Sequence, residues 1–428
     1  MCELAAPRAP AADRRLQRLE RSLRQSPRPS TLCCPSPCFK SNFCAGGAAH
    51  PSTSPAFQMA QTNTATAAEV ASEFERSNPC HWQLFAQGAV NVMFRYQSAE
   101  QSHLSRYLLR VAKLHSKHGS GSVEDSPSDE QQRLFRARFF QLCGAQYMPS
   151  HIEICVSPTF LSGLPDVGCV LNPCGFACLV QDVSAASDGL TIEIKPKCGI
   201  VPFLSNLSKD HACKASTCRF CMYQYTKYKM GKISRISAYC PLQFFRGNHD
   251  STIQNLLALF DCPQNNIKIS SANGELLGCN ASDQSGLARA SAALGLSSLG
   301  LAHFIAKSLL LSNVLQDIKR VQELDCLGIE LLWTRFCESP DSPDILQLVD
   351  DFLMSTCAKD VSVIIAIEPL GSCSSEFRPL PESSCGFRVQ IIDVDQRPRA
   401  WLQKYAQQDA DIVSEFLSSA CTRSCILP

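Results

Sequence analysis

The chain has 428 residues, 45% hydrophobic and 18% charged, with a formal net charge of +1 and 25 cysteines. That length suits two or three domains or one large two-lobed fold, and the near-neutral balance argues against a protein that coats nucleic acid. No run reaches ~18 uninterrupted apolar residues, so no membrane-spanning helix is expected; the best candidate, 294–311, is broken by His303 and Lys307.

Residues 1–78 form a compositional block of Pro, Ala, Ser, Arg and Cys, with eight Lys/Arg against three acids over 1–60. A disordered extension is expected, an organelle-targeting peptide is the alternative, and Met59 offers an internal start. Folding is expected to begin near Cys80-His81-Trp82. Residues 84–96, around Gln87-Gly88-Ala89-Val90-Asn91, read as strand, tight turn, strand, and 104–114 as a further strand carrying Arg110 and Lys113. A polar loop, 118–130, precedes a helix at 131–142, and 152–157 and 170–180 are β-like. Apolar spacing predicts helices at 218–229, from Thr252 onward (Ile253, Leu256, Leu257, Leu259), through much of 285–324, and at 344–356. A β-rich first half and a helix-rich second half predict two lobes with a cleft between them. No internal repeat is visible.

The densest chemistry is Glu193-Ile194-Lys195-Pro196-Lys197-Cys198-Gly199. Strand alternation would put Glu193, Lys195 and Lys197 on one face, and Pro196 marks the end or edge of a sheet. Residues 195–235 hold nine Lys/Arg and one acid, Asp210. Two readings stand: a site for a phosphate-rich ligand, or a solvated charged strand. The 25 cysteines are scattered, and no secretory signal opens the chain, so reduced thiols in an intracellular protein are expected. The one Cys-x-x-Cys, Cys218 and Cys221, has His211 and Cys213 upstream; packing is its expected role.

Residues 361–367 and 387–393 are both strand-like runs of seven. Paired as an antiparallel hairpin, they would bring Asp360 and Asp393 side by side at one end of a sheet. Neighbouring carboxylates need a compensating cation or proton. A magnesium site with one Asp acting as base is one solution, and simple capping of each element is the other. Arg397 and Arg399 follow closely.

Together these motifs resemble the inositol-pentakisphosphate 2-kinase family. The residues carrying the resemblance are the 193–199 signature, Arg219-Phe220-Cys221-Met222-Tyr223-Gln224 with Lys227, Tyr239-Cys240-Pro241-Leu242 and Pro263-Gln264-Asn265-Asn266-Ile267-Lys268. Ala358-Lys359-Asp360 and Ile392-Asp393-Val394-Asp395 complete the set, in family order across roughly 80–410.

The resemblance implies an α+β, two-lobed inositol-phosphate-kinase fold with a distant protein-kinase-like core. Its ATP cleft would lie between a β-rich N-lobe (79–180) and a larger α/β C-lobe (184–428), joined by a hinge at 181–183. It implies ATP- and magnesium-dependent phosphorylation of the 2-hydroxyl of inositol 1,3,4,5,6-pentakisphosphate to the hexakisphosphate, phytate. On the nucleotide side it places Gly88, Ala89, Val90, Asn91, Lys113, Gln181, Asp182, Glu193, Lys195 and Lys268. On the substrate side it places Lys197, Lys227, Asn265, Arg397 and Tyr405. Asp360 matches the catalytic aspartate, which could also touch the metal, and Asp393 the magnesium ligand.

The expected partner is a small inositol polyphosphate, with no nucleic acid or membrane, in a monomer of the cytoplasm or nucleus. Several features depart from the family pattern. No Lys or Arg occurs between Arg138 and Lys195, where a first-lobe arginine is usual, and either Lys117 or His118 could fill the basic position past Lys113. Trp401 stands where some members place an arginine. No plant-type zinc cluster lies between Leu324 and Lys359, so zinc is not expected. The alternatives are a non-catalytic inositol-phosphate scaffold, a related kinase of relaxed selectivity, and a cysteine-rich zinc protein. A prenylation box at Cys425-Ile426-Leu427-Pro428 is set aside.

Overall fold

The computed structural model describes residues 66–88, 91–99, 102–114, 128–172, 176–185, 188–278, 284–371, 376–381, 383–419 and 423–425. Ala89, Val90, Lys117, His118, Met59 and the C-terminal Ile426-Leu427-Pro428 lie outside them, as does most of the 1–78 block. The first described element nevertheless falls inside that block. Helix α1 (Ala67–Glu75) opens with a capping box between Thr66 and Glu69. Its buried Phe74 packs against Trp82 and Phe160, with ring centroids 5.7 and 5.0 Å away. A packed helix therefore precedes the expected start at Cys80, because α1 supplies two apolar residues, Val70 and Phe74, to a core.

The strands β1 (Trp82–Gln87), β2 (Asn91–Tyr96), β3 (Tyr107–Ala112), β4 (His151–Cys155) and β5 (Phe176–Gln181) form an antiparallel sheet in the order β1-β2-β3-β5-β4. Its buried face (Val92, Phe94, Leu109, Val111, Leu179) makes one apolar core with α1. Helix α2 (Asp129–Cys143) lies between β3 and β4 in sequence but belongs to the other core. Its Phe135, Phe139, Phe140 and Cys143 pack with the second half of the chain. The 79–180 segment is therefore not one packing unit.

The helix-rich second half also supplies most strands of a second sheet. β6 (Leu190–Ile194), β7 (Ile267–Ser271), β8 (Gly274–Leu277), β9 (Ser362–Pro369), β10 (Arg378–Pro379) and β11 (Cys385–Ile392) assemble in the order β10-β11-β9-β6-β7-β8. β9 and β11 are buried on both faces, so their apolar runs were legible. The β7–β8 hairpin, with its polar Lys268, Ser270 and Glu275, was not.

The helices that follow or flank this sheet in sequence are α3 (Arg219–Lys229), α4 (His249–Asp261), α5 (Gln284–Ala293), α6 (Ser298–Ser312), α7 (Val314–Gln322), α8 (Ile329–Glu338), α9 (Pro343–Ala358) and α10 (Leu402–Ser418); α8 and α10 pack with α9 in an apolar cluster apart from the sheet's core. The helical stretch expected through much of 285–324 is divided into α5, α6 and α7. Gly295 and Asn313 at the two breaks take left-handed backbone, with φ of 65° and 61°. Among the described residues no single helix is long and apolar enough to cross a membrane.

Candidate active site

The β9–β11 hairpin forms in the anticipated register, with Ile392 opposite Ser362 and Phe387 opposite Ile367. Asp360, just before β9, and Asp393, just after β11, therefore emerge at the same sheet end. β6 pairs with the other edge of β9, setting Ile194 opposite Val363. Three strands thus deliver Asp360, Asp393 and the Lys195/Lys197 pair to one place.

Strand alternation does not carry through the signature. β6 ends at Ile194, and Lys197 takes left-handed backbone at φ 64°. The turn is held on three sides. Tyr239 donates its hydroxyl to the Pro196 carbonyl (2.8 Å), and Gln322 donates to the Lys197 carbonyl (2.8 Å) while accepting from the Gly199 amide (2.7 Å). Gly199 is required sterically: a Cβ there would lie 2.4 Å from the Phe245 ring. Left-handed backbone costs a non-glycine residue about 1–2 kcal/mol, and here surrounding contacts hold it in place.

The consequence is that the two lysines meet different carboxylates. Lys195 Nζ lies 2.9 Å from Asp393 and 3.8 Å from Glu193, and Lys268 Nζ reaches the other Glu193 oxygen at 3.9 Å. Lys197 Nζ lies 2.9 Å from Asp360, whose second oxygen faces Arg397 at 3.4 Å. Burial works against the Lys195 charge, but Asp393, with Glu193 and Asp360 behind it, holds the ammonium above its ordinary value. Burial likewise opposes the Asp393 charge, and Lys195 and the Ser362 hydroxyl outweigh it, keeping the carboxyl below its ordinary value. Asp393 also sits in left-handed backbone, at φ 65°.

Ser362 Oγ is 2.8 Å from both Glu193 and Asp393. The Ser362 hydroxyl can donate to only one of these carboxylates at a time, and at this oxygen-rich corner Lys195 and Lys268 supply the positive charge beside them. Hard oxygen donors suit Mg²⁺, which takes one or two carboxylates plus phosphate oxygens. The donor set fits that ion, with Asp393 and Glu193 as its holders.

Beside this corner opens a cavity of about 540 Å³, in the size range of small-molecule sites. Seven Lys/Arg and three Asp line it, a formal excess of four positive charges. Lys214 pairs with Asp409 (2.5 Å) and Lys359 with Asp325 (2.7 Å), which makes those two structural. On α3, Arg219, Tyr223 and Lys227 recur every fourth residue on one face, with Arg219 and Lys227 set 5.6 and 4.9 Å from the Tyr223 ring centroid. Burial and the neighbouring Lys197 push the Lys227 ammonium below its ordinary value, as expected where like charges converge for an anion. Tyr405, on α10, lines the same cavity, and burial raises its phenol.

Other predicted residues sit differently. Asn265 is exposed and outside the cavity lining, and Arg399 is spent on Asp350 (2.6 Å). Gln181 and Asp182 use their side chains internally: Gln390 donates to Gln181 (3.0 Å), and Asp182 pairs with Arg95 (2.7 Å). Gly88 has space for a Cβ, the nearest atom being Asn91 O at 3.7 Å, so protein packing does not demand glycine there. The Lys113 side chain makes no ion pair among the described residues. Arg110, three residues earlier and given no site role from sequence, reaches Asp395 at 3.2 Å. Ser362 and Arg110 were invisible as site residues because each matters through a partner hundreds of positions away or across a sheet.

A second cluster bears on the expectation that zinc is absent and that Cys218 and Cys221 only pack. The sulfurs of Cys218, Cys221, Cys240 and Cys425, all buried, lie within 4.8 Å of one another. Cys425 Sγ is 3.8 Å from Cys218 Sγ, far beyond a disulfide. Tetrahedral zinc with Zn–S near 2.3 Å sets its sulfurs roughly 3.8 Å apart. The Cys221 amide donates to Cys218 Sγ (3.4 Å) and the Cys218 amide to Cys425 Sγ (3.5 Å). Hydrogen bonds from Cys218 and Cys221 pull the Cys240 thiol down, and the two donors are pushed up. The four thiols fit a zinc ion. Sequence spacing hid this, since the other two ligands come from 240 and 425.

Sequence comparison adds to this geometry. The profile of the inositol-pentakisphosphate 2-kinase family matches residues 85–411. The inositol-pentakisphosphate 2-kinase of Arabidopsis thaliana is 22% identical over 79% of this chain and 94% of its own length. That of Oryza sativa subsp. indica is 27% identical over 57% of this chain and 61% of its own length. A protein of the same name from Danio rerio is 46% identical over 88 residues, 21% of this chain and 18% of that protein.

Proposed function

The chain belongs to the inositol-pentakisphosphate 2-kinase family, and from that premise we propose that it transfers a phosphoryl group from ATP to the 2-hydroxyl of inositol 1,3,4,5,6-pentakisphosphate, giving the hexakisphosphate. The fold would act as a two-lobed kinase with ATP in the cleft between the two sheets. The observation that carries this reading is the divergence of Lys195 and Lys197. Two residues apart, they serve two adjoining sites, one an oxygen-rich corner and the other a cationic cavity.

In this reading Lys195 and Lys268 contact ATP phosphates, and Glu193 and Asp393 hold Mg²⁺. Gly88, Ala89, Val90, Asn91, Lys113, Gln181 and Asp182 complete the nucleotide side. Mg²⁺, when bound, neutralises charge on the phosphate oxygens. Lys197, Lys227, Arg397 and Tyr405 bind the inositol phosphate. Asp360 accepts the proton of the 2-hydroxyl as its oxygen bonds to the terminal phosphorus. The bond between that phosphorus and the bridging oxygen breaks, and ADP leaves with the electron pair. Substrate phosphates would draw Lys197 and Arg397 away from Asp360 and leave its carboxylate to the hydroxyl. A structural zinc at the four cysteines would tie the α3 N-terminus, and so Arg219 and Lys227, to the end of the chain.

The test is incubation with ATP, Mg²⁺ and each inositol pentakisphosphate isomer, alongside Asp360→Asn. Hexakisphosphate should form from the isomer with a free 2-hydroxyl, and the variant should be about 10²–10⁴-fold slower. Binding without turnover in the wild type would instead make the protein a scaffold.

A further inference from the structure

The cavity contains a cation that neither the ion-pair network nor the roles above employ. Of the seven lining cations, Lys214 and Lys359 are committed to buried aspartates, Lys197 and Arg397 face Asp360, and Arg219 donates to Gln408 at 2.8 Å. Lys227 and Lys404 remain. Neither has a carboxylate within ion-pair distance among the described residues, and each sits against an aromatic ring. Lys227 was already a candidate substrate contact. Lys404 has its Nζ 4.5 Å from the Trp401 ring centroid.

That seat is itself built. Trp401 meets Tyr405 edge-on at 6.4 Å, and Tyr405 meets Phe352 at 6.0 Å, so a run of three aromatic rings leads from the apolar cluster under α9 to the cavity wall. Trp401, Lys404, Tyr405 and Gln408 are spaced three or four apart and all line the cavity from the start of α10. Gln408 also donates to the Tyr223 hydroxyl (3.4 Å), which braces this wall against the Arg219–Lys227 face of α3. A cation over an indole face gives up rotamer freedom while its N–H donors stay available to an anion.

We propose that Lys404, seated on Trp401, is a specificity-determining phosphate contact of the cavity. This rests on the kinase reading above and adds a residue that no motif assigned. An ammonium is a compact charge with rotatable donors, unlike the planar fork of arginine. It therefore registers whether a phosphate is present at its position and is tolerant of how that phosphate is oriented. The residue would discriminate by phosphate number at one ring position.

The experiment compares wild type, Lys404→Ala, Lys404→Arg and Trp401→Leu, each checked for an unchanged melting curve. It uses ATP with inositol pentakisphosphate and with the set of inositol tetrakisphosphates. Lys404→Ala should raise the KM for pentakisphosphate about tenfold, the scale of one charge-assisted contact, with kcat within about twofold and the KM for ATP unmoved. For the one tetrakisphosphate lacking the phosphate it reads, Lys404→Ala should change nothing. Trp401→Leu should give a smaller loss, and Lys404→Arg should restore affinity. Equal losses across all substrates, no loss at all, or a parallel rise in the KM for ATP would overturn the assignment. Calorimetry with inositol hexakisphosphate separates the two levels. If wild type does not bind it, the kinase reading fails; if wild type and Lys404→Ala bind it equally, only the Lys404 role fails.

Discussion

At Lys195, burial and attraction oppose each other, and the Asp393 carboxylate 2.9 Å away decides the balance. The signs follow from the shift directions. Asp393 has a depressed value in the folded state, so its share of stability is present above the unfolded carboxyl value, about 3.9, and is lost as pH falls through the lower folded value. Lys195 has a raised value, so its share is present below about 10.4 and is lost as pH rises through the higher folded value. Asp393 is half exposed, and solvent screening keeps the pair's contribution small. Lys195→Met should move the Asp393 titration upward, read by carboxyl-carbon NMR against pH; an unmoved titration would mean that Ser362 alone holds the carboxylate. At this scale the sequence was a good guide to which residues carry charge and a poor one to what they face. Arg397 and Arg399 looked equivalent, yet one meets Asp360 and the other Asp350.

Among the elements, the least legible feature was the path of the chain just after β6. Period-2 alternation placed Lys195 and Lys197 together, and the left-handed turn at Lys197, locked by Tyr239, Gln322 and Phe245, separates them. Helix α3 tells a similar story. Its apolar spacing was readable, but its anchorage was not, because Cys218 caps the helix and also faces Cys425 from the far end of the chain. Zinc there makes a prediction at this scale. The purified protein should carry about one zinc per chain, and Cys425→Ser should lose it and lower the melting temperature by at least about 5 °C. Because α3 carries Arg219 and Lys227, the same variant should weaken inositol-phosphate binding. Full zinc content in Cys425→Ser would dissolve the four-thiol assignment.

Over the whole molecule, net charge and local charge part company. The chain is formally +1, whereas the cavity lining has an excess of four positive charges. Binding of a polyanion should therefore be steeply salt-dependent even though the protein is nearly neutral. Raising ionic strength from about 0.01 to 0.15 M shortens the screening length from roughly 30 to 8 Å. Inositol hexakisphosphate affinity, measured by calorimetry across that range, should fall by an order of magnitude or more; a flat profile would mean that the cavity cations do not meet phosphate. The large core also crosses the expected lobe boundary, since α2 packs its phenylalanines with the six-stranded sheet's helices.

The sequence by itself determined the apolar strands of both sheets, the β9–β11 pairing with its two aspartates, and the basic character of 195–235. Each of these is local pattern, set by side-chain period and by residue type within a few positions. Tertiary structure decided which carboxylate each lysine meets, that four cysteines from three distant segments converge, and that Lys404 rests on Trp401 at the cavity wall. Those depend on where the chain turns and on which surfaces pack. Distances of a few ångströms between residues tens to hundreds of positions apart are not encoded in any short window of the sequence.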